Sequence, residues 1–450
     1  MEKKTGLKAA IVPLKFREIN EREAGEYEEQ MERLQELYGD VAEFAEPVLV
    51  GEPIPECDAV LFPQLIGAGY HYKEAFLAYE KPMLVITSRF GTVDMWDWEL
   101  ISYMRSAGLN VFSPYNTELG KVIFRALAVK NHLRKSRFLM FQDDPGEGMQ
   151  AYIFKRFYWW EKECTETMEK TFGIEMVYRS WKEVNARAAE IDSQQALKEF
   201  CSWDLPCDSR ISDEQKTLIG QLYLAICETI EELGGVDGIG ANCLNESMYC
   251  RTTPCVVWNQ LFERYGIIWC CEGDTLTLLS TYILYHSLKA PIQMTNIYPF
   301  LVGQAAIFHE RIDRFPDVEE PENHALGVHC GYAGFAPRCF CGQKWKIMPK
   351  VLAIVDEKAV MVDCELPVGD MVLAKINPSF DRLTVIPGQI EKFVQFPDTD
   401  SLNATLLKYH NGEKDMEELP SHHQMIIVGK QKASLIQIAK VFGWNCEVIE

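Results

Sequence analysis

The sequence predicts an α/β protein of three domains: two N-terminal units built on parallel sheets, then a β-rich, barrel-like C-terminal domain. Three observations carry this. Up to about residue 290, short apolar runs alternate with amphipathic stretches of helical length, as parallel strands covered on both faces require. Beyond it, strand-like runs follow one another at close spacing. A chain of 450 residues also exceeds what one compact core organises. The expected boundaries are 1–135, 136–290 and 291–450.

In the first unit, Lys8-Ala-Ala-Ile-Val-Pro-Leu reads as a strand and 21–38 as a charged amphipathic helix. Asp58-Ala-Val-Leu-Phe-Pro and Pro82-Met-Leu-Val-Ile-Thr read as buried strands. A helix over 96–107, the strand Asn110-Val-Phe-Ser-Pro and a helix over 119–134 complete it. The second unit opens on the strand Ser136-Arg-Phe-Leu-Met-Phe-Gln, which runs into the loop Asp143-Asp-Pro-Gly-Glu-Gly148. It continues with a strand at Ile174, helices over 181–202 and 213–233, a strand from Asp237, and the buried strand Gly266-Ile-Ile-Trp-Cys-Cys. In the third, residues 350–364 read as a hairpin turning at Asp356-Glu-Lys. Further strands are expected at Met371, Arg382, Met425 and Cys446, with a helix over 434–442.

Composition narrows the function. A formal net charge of -21 argues against a nucleic-acid partner, whose phosphates need a basic face. Fifteen cysteines in 450 residues fall below the density of a disulfide scaffold. No apolar stretch reaches membrane-spanning length, and the opening Met1-Glu-Lys-Lys-Thr-Gly leads into no signal-peptide core. A cytoplasmic enzyme with reduced thiols is the expectation.

The chemistry concentrates late in the chain. The strand at Gly266 delivers Glu272 to its C-terminal end, where open α/β sheets bind ligands. Asp274 then stands where an N-cap is wanted for the run beginning Thr275-Leu-Thr-Leu-Leu. A carboxylate after so apolar a strand is costly to bury unless it is paired or binds a cation. His329 ends an apolar run, Val328-His-Cys-Gly331, and a glycine-rich turn after it would admit a close ligand. Cys330 beside it reads as packing. His422 and His423 stand at the entry of the strand at Met425, so alternation should let at most one of them face a given site. Cys270-Cys271 and Cys339-Phe-Cys341 lack zinc-site spacing. The loop at Asp143 lacks the Lys-Ser/Thr of a phosphate loop, and Trp96, Trp98, Trp159 and Trp160 read as packing or interface residues.

Taken in order, Cys271-Glu-Gly-Asp274, Val328-His-Cys-Gly331 and Ser421-His-His-Gln424 resemble the L-fucose/L-arabinose isomerase family of metal-dependent sugar isomerases. The resemblance implies a divalent cation that holds two adjacent oxygens of an open-chain sugar, while two carboxylates move a proton through an enediol. It puts Glu272 on the first carboxylate, catalytic and metal-ligating, with His329 and His423 as the remaining metal ligands. With oxygen and nitrogen donors and no thiolate, the expected ion is Mn²⁺, with Mg²⁺ or Co²⁺ as substitutes. The second carboxylate should end the next strand, Pro291-Ile-Gln-Met-Thr-Asn-Ile-Tyr, yet Asn296 or Thr295 stands there. No Asp or Glu occurs from Thr275 to His309.

Asn296 is therefore the candidate for the catalytic and substrate-binding position, with His422 as a further substrate contact. An Asn carbonyl can ligate a hard cation but cannot act as a general base. On this reading Asn296→Asp would restore the missing base. Three functions are compatible with these residues: an aldose–ketose isomerase with an altered acid/base partner, a metal-dependent epimerase or lyase on a sugar derivative, and a non-catalytic sugar-binding relative. The substrate should be a neutral sugar, since no cluster of Lys and Arg surrounds the motifs. The resemblance further implies a homotrimer or homohexamer whose sites are completed by a neighbour's N-terminal domain.

Overall fold

The computed structural model describes residues 6–17, 19–65, 67–143, 161–244, 246–330, 336–342, 344–349, 358–396 and 403–450. The loop 144–148, Trp159 and Trp160, the glycine-rich turn from residue 331 and the hairpin turn at Asp356-Glu-Lys lie outside or largely outside these residues.

The N-terminal unit is a parallel sheet of β1 (Ala9–Lys15), β2 (Ala42–Phe44), β3 (Val48–Leu49), β4 (Ala59–Phe62), β5 (Met83–Val85) and β6 (Val111–Phe112). The order is β2-β1-β4-β5-β6, with β3 pairing β1. The helix Glu21–Tyr38 matches the expected span because Asn20 and Glu23 form a reciprocal capping box at its start. Trp96 and Trp98 do not pack inside the chain; they are 80% and 62% exposed.

The central unit is a parallel sheet of four strands in the order β10-β9-β7-β8. These are β7 (Arg137–Phe141), β8 (Glu175–Arg179), β9 (Gly238–Ala241) and β10 (Ile268–Cys270). Gly240 is needed in β9, since a Cβ there would lie 2.5 Å from Cys270 Sγ on the neighbouring strand. The single helix expected over 181–202 is two, Trp181–Glu190 and Ser193–Cys201, because Asp192 caps the second by accepting from the Gln195 amide.

Six C-terminal strands close into an antiparallel barrel: β11 (Ile292–Pro299), β12 (His324–Val328), β15 (Gly369–Ile376), β16 (Arg382–Gln395), β17 (Asn403–Tyr409) and β18 (His423–Val428). The ring runs β15-β18-β11-β12-β17-β16 and returns to β15. A strand β19 (Asn445–Val448) adds to β16 in parallel. β13 (Trp345–Pro349) and β14 (Val360–Cys364) form a separate antiparallel pair, so the described first arm of the expected hairpin starts earlier than anticipated. One continuous apolar core joins the central sheet to the barrel and to one face of the N-terminal sheet. A smaller core fills the other face of that sheet.

Candidate metal centre

The candidate residues meet where the C-terminal edge of the central sheet abuts the barrel. β11 organises the barrel side, since Asn296 pairs with His423 on one neighbouring strand and with Val328, which precedes His329, on the other. β10 supplies the rest. After Cys270 the chain turns through Glu272 and Gly273, both at positive φ (55° and 69°), and enters the helix Thr275–Leu288. Among the described residues eight non-glycines have positive φ, and three of them are Glu272, Cys330 and Arg311. Each is, or directly follows, a residue of this cluster. Left-handed backbone costs a residue with a Cβ roughly 1–2 kcal/mol, so its concentration here marks a geometry held against local preference.

Glu272, His329 and His423 are all buried. His329 Nε2 lies 3.7 Å from Glu272 Oε1, and His423 Nε2 lies 3.9 Å from Glu272 Oε2. Each separation alone is one that a cation with bonds of about 2.0–2.2 Å spans, but His423 faces the other oxygen of Glu272 and stands outside the described donor group that closes within 4.8 Å, which is Cys271, Glu272 and His329. Cys271 Sγ stands 3.1 Å from His329 Nε2, and donor atoms of Cys271, Glu272 and His329 all lie within 4.8 Å of one another. A thiol thus stands beside the oxygen and nitrogen donors that the sequence led us to expect. A buried carboxylate facing two imidazoles and a thiol fits a divalent ion.

Asp274 fills the expected N-cap, accepting from the Thr277 amide at 2.8 Å, and does more. Its Oδ2 lies 2.9 Å from His423 Nδ1 and accepts from it, which leaves His423 Nε2 on the side of Glu272. The same oxygen accepts from buried Lys375 at 3.3 Å. Burial alone would raise the Asp274 pKa; Lys375 and the His423 hydrogen bond more than offset it and hold the carboxyl below the usual range.

Asn296 does not stand alone. Its Nδ2 donates to Glu310 Oε1 at 2.9 Å, and the Tyr298 hydroxyl donates to the same oxygen at 2.9 Å. His309 Nδ1 lies 2.9 Å from that oxygen and 2.8 Å from the Tyr298 hydroxyl. Glu310 is fully buried, whereas the His309 side chain is 45% exposed and forms the solvent side of the cluster. Burial pushes the Glu310 pKa up, but His309, His329 and Asn296 outweigh it, and the carboxyl is held below its ordinary value. Asn296 Oδ1 is buried and has no hydrogen-bond partner among the described residues.

Of the two late histidines, His423 is the one placed against Glu272 and Asp274. His422 precedes β18, and its ring lies against that of His423 with centroids 4.3 Å apart. Burial, then the neighbouring His423, lowers the His422 pKa to about 2 and keeps the ring neutral. Cys330 packs with Cys255, Met348 and Met361, as a packing residue should. The residues that sequence reading missed are Cys271, Glu310, His309, Tyr298 and the Asp274–His423 contact. Only Asp274 carried a local signal, its capping position.

No protein-family model matches this sequence, and a search of curated proteins finds no match. No described helix is long and apolar enough to cross a membrane.

Proposed function

We propose that the protein is a metal-dependent sugar isomerase that interconverts an aldose and a ketose, with Glu272 and Glu310 as its pair of carboxylates. The observation that carries this reading is the placement of the Glu310 carboxylate against Asn296, in the cluster that also holds Glu272, His329 and His423. Asn296 stands where the family resemblance calls for a carboxylate, and Glu310 brings one there from 14 residues further along the chain.

Glu272, His329 and His423 would hold the cation, which when bound polarises the sugar carbonyl and stabilises negative charge on its oxygen. Glu310 takes the proton from C2, whose electron pair forms the C1=C2 bond as the carbonyl electrons move to O1. The O2 hydroxyl proton is transferred to O1. Glu310 then returns its proton to C1 as O2 becomes the ketone, so no atom is gained or lost. Hydrogen bonds from Asn296 and Tyr298 orient the Glu310 carboxylate, and its lowered pKa keeps it ionised as a base.

The test is NMR of aldopentoses and 6-deoxyhexoses with the protein and a divalent cation in D₂O. The reading predicts ketose with deuterium at C1, and a fall of about 10²–10⁴-fold in Glu310→Gln. An epimerised aldose without ketose would point to an epimerase instead. No product and no solvent exchange with any sugar would defeat the proposal.

A further inference from the structure

We infer that the Cys271 thiolate is a ligand of the cation, which makes the centre a mixed sulfur, nitrogen and oxygen site that prefers Zn²⁺ or Co²⁺ to Mn²⁺ or Mg²⁺. This rests on the metal centre of the isomerase reading but not on the reaction assigned to it.

Cys271 immediately precedes Glu272, and the turn at Glu272 brings both side chains to one place. The thiol sulfur lies 3.1 Å from His329 Nε2, while the same nitrogen lies 3.7 Å from Glu272 Oε1. Those are the spacings of three donors around one ion: bonds of about 2.3 Å to sulfur and about 2.0–2.2 Å to nitrogen and oxygen place neighbouring donors some 3–4 Å apart. All three residues are buried, so a cation bound there loses its water shell and takes replacements from this set. Cys270, one residue earlier, is also buried but stands outside the group, its sulfur turned toward the position of a Gly240 Cβ.

The consequence is selectivity. Thiolate is a soft donor that suits zinc and cobalt, whereas magnesium and manganese favour carboxylate, carbonyl and water. A centre of carboxylate and imidazole alone would discriminate less against Mn²⁺. On binding, the thiol proton leaves to solvent and sulfur donates its electron pair; nothing is oxidised or reduced.

The test uses the full chain freed of metal and titrated with Co²⁺. Thiolate ligation gives an intense near-ultraviolet sulfur-to-cobalt charge-transfer band, which should appear in the wild type and in Cys270→Ser and vanish in Cys271→Ser. Competition between Zn²⁺ and Mn²⁺ on the same proteins should show the zinc preference shrinking by at least about tenfold in Cys271→Ser alone, on the scale of losing a group that supports a metal. If Cys271→Ser fails to fold, Cys271→Ala and the wild-type band decide the matter. Tight Co²⁺ binding without the band, or a band that survives in Cys271→Ser, overturns the thiolate ligand and leaves the isomerase reading standing. No binding of any divalent ion overturns both.

Discussion

Replacing Asp274 by Asn removes one charge from a fully buried polar cluster. An Asn side-chain oxygen still accepts from the Thr277 amide, so the helix cap survives. What is lost is the second oxygen, which serves His423 Nδ1 at 2.9 Å, the Thr277 hydroxyl at 2.7 Å and Lys375 at 3.3 Å. Lys375 and Asp274 are 1% and 0% exposed, so the ammonium is left without its anion in a site that water does not reach. Breaking a buried pair by removing one partner costs about 3–5 kcal/mol. Asp274→Asn should therefore lower unfolding free energy by that amount in urea denaturation. Removing both charges, in Asp274→Asn with Lys375→Met, should recover most of the loss, because nothing charged then stays buried. A loss below about 1 kcal/mol, or a double variant worse than the single one, would refute the argument. The single variant should also weaken metal binding by about 10–100-fold, since His423 loses the group that fixes its tautomer.

If the proposed function holds, Asn296→Asp, which the sequence alone presents as a repair, should instead reduce turnover: it sets a second carboxylate 2.9 Å from Glu310 and removes the amide that donates to it. A gain in sugar turnover by that variant would restore the first reading. Asp415 offers a pH test remote from the site. Burial raises its pKa to about 7, and neither carboxylate oxygen has a hydrogen-bond partner among the described residues. The folded state thus holds this proton more tightly than the unfolded chain, whose Asp has a pKa of about 3.9. Destabilisation is absent below that value, grows as pH rises and is complete above about 7. Asp415→Asn should accordingly stabilise by about 1–3 kcal/mol at pH 8 and by almost nothing at pH 4, read from denaturation midpoints. An effect independent of pH would contradict it.

Much of the fold was legible because its signals are local. The helix Glu21–Tyr38 is bounded by its own capping box, and Asp274 announces the helix it caps. β10 ends in a carboxylate, and that placed Glu272. Closure of the barrel depended on β17, which sequence reading passed over. Its residues Asn403–Tyr409 are nearly all buried between two other strands and show no alternation to read. Glu310 was invisible for a different reason. It follows a single helical turn, Ala306–His309, and reaches Asn296 only because the chain reverses after β11. Residue type and spacing carry no trace of that reversal. Cys271 carries no motif, because zinc sites show in sequence as paired cysteines, whereas its neighbours in space are Glu272 and His329, the latter 58 positions away.

The most direct test of the account is a crystal structure of the protein soaked with Co²⁺ and a pentitol, read by anomalous scattering at the cobalt edge. The account predicts one peak within about 2.0–2.6 Å of Glu272, His329 and His423. It also predicts two adjacent polyol oxygens on the ion and the Glu310 carboxylate beside the carbons that bear them. A cobalt peak elsewhere, or a polyol bound with Glu310 turned away from it, would contradict the account.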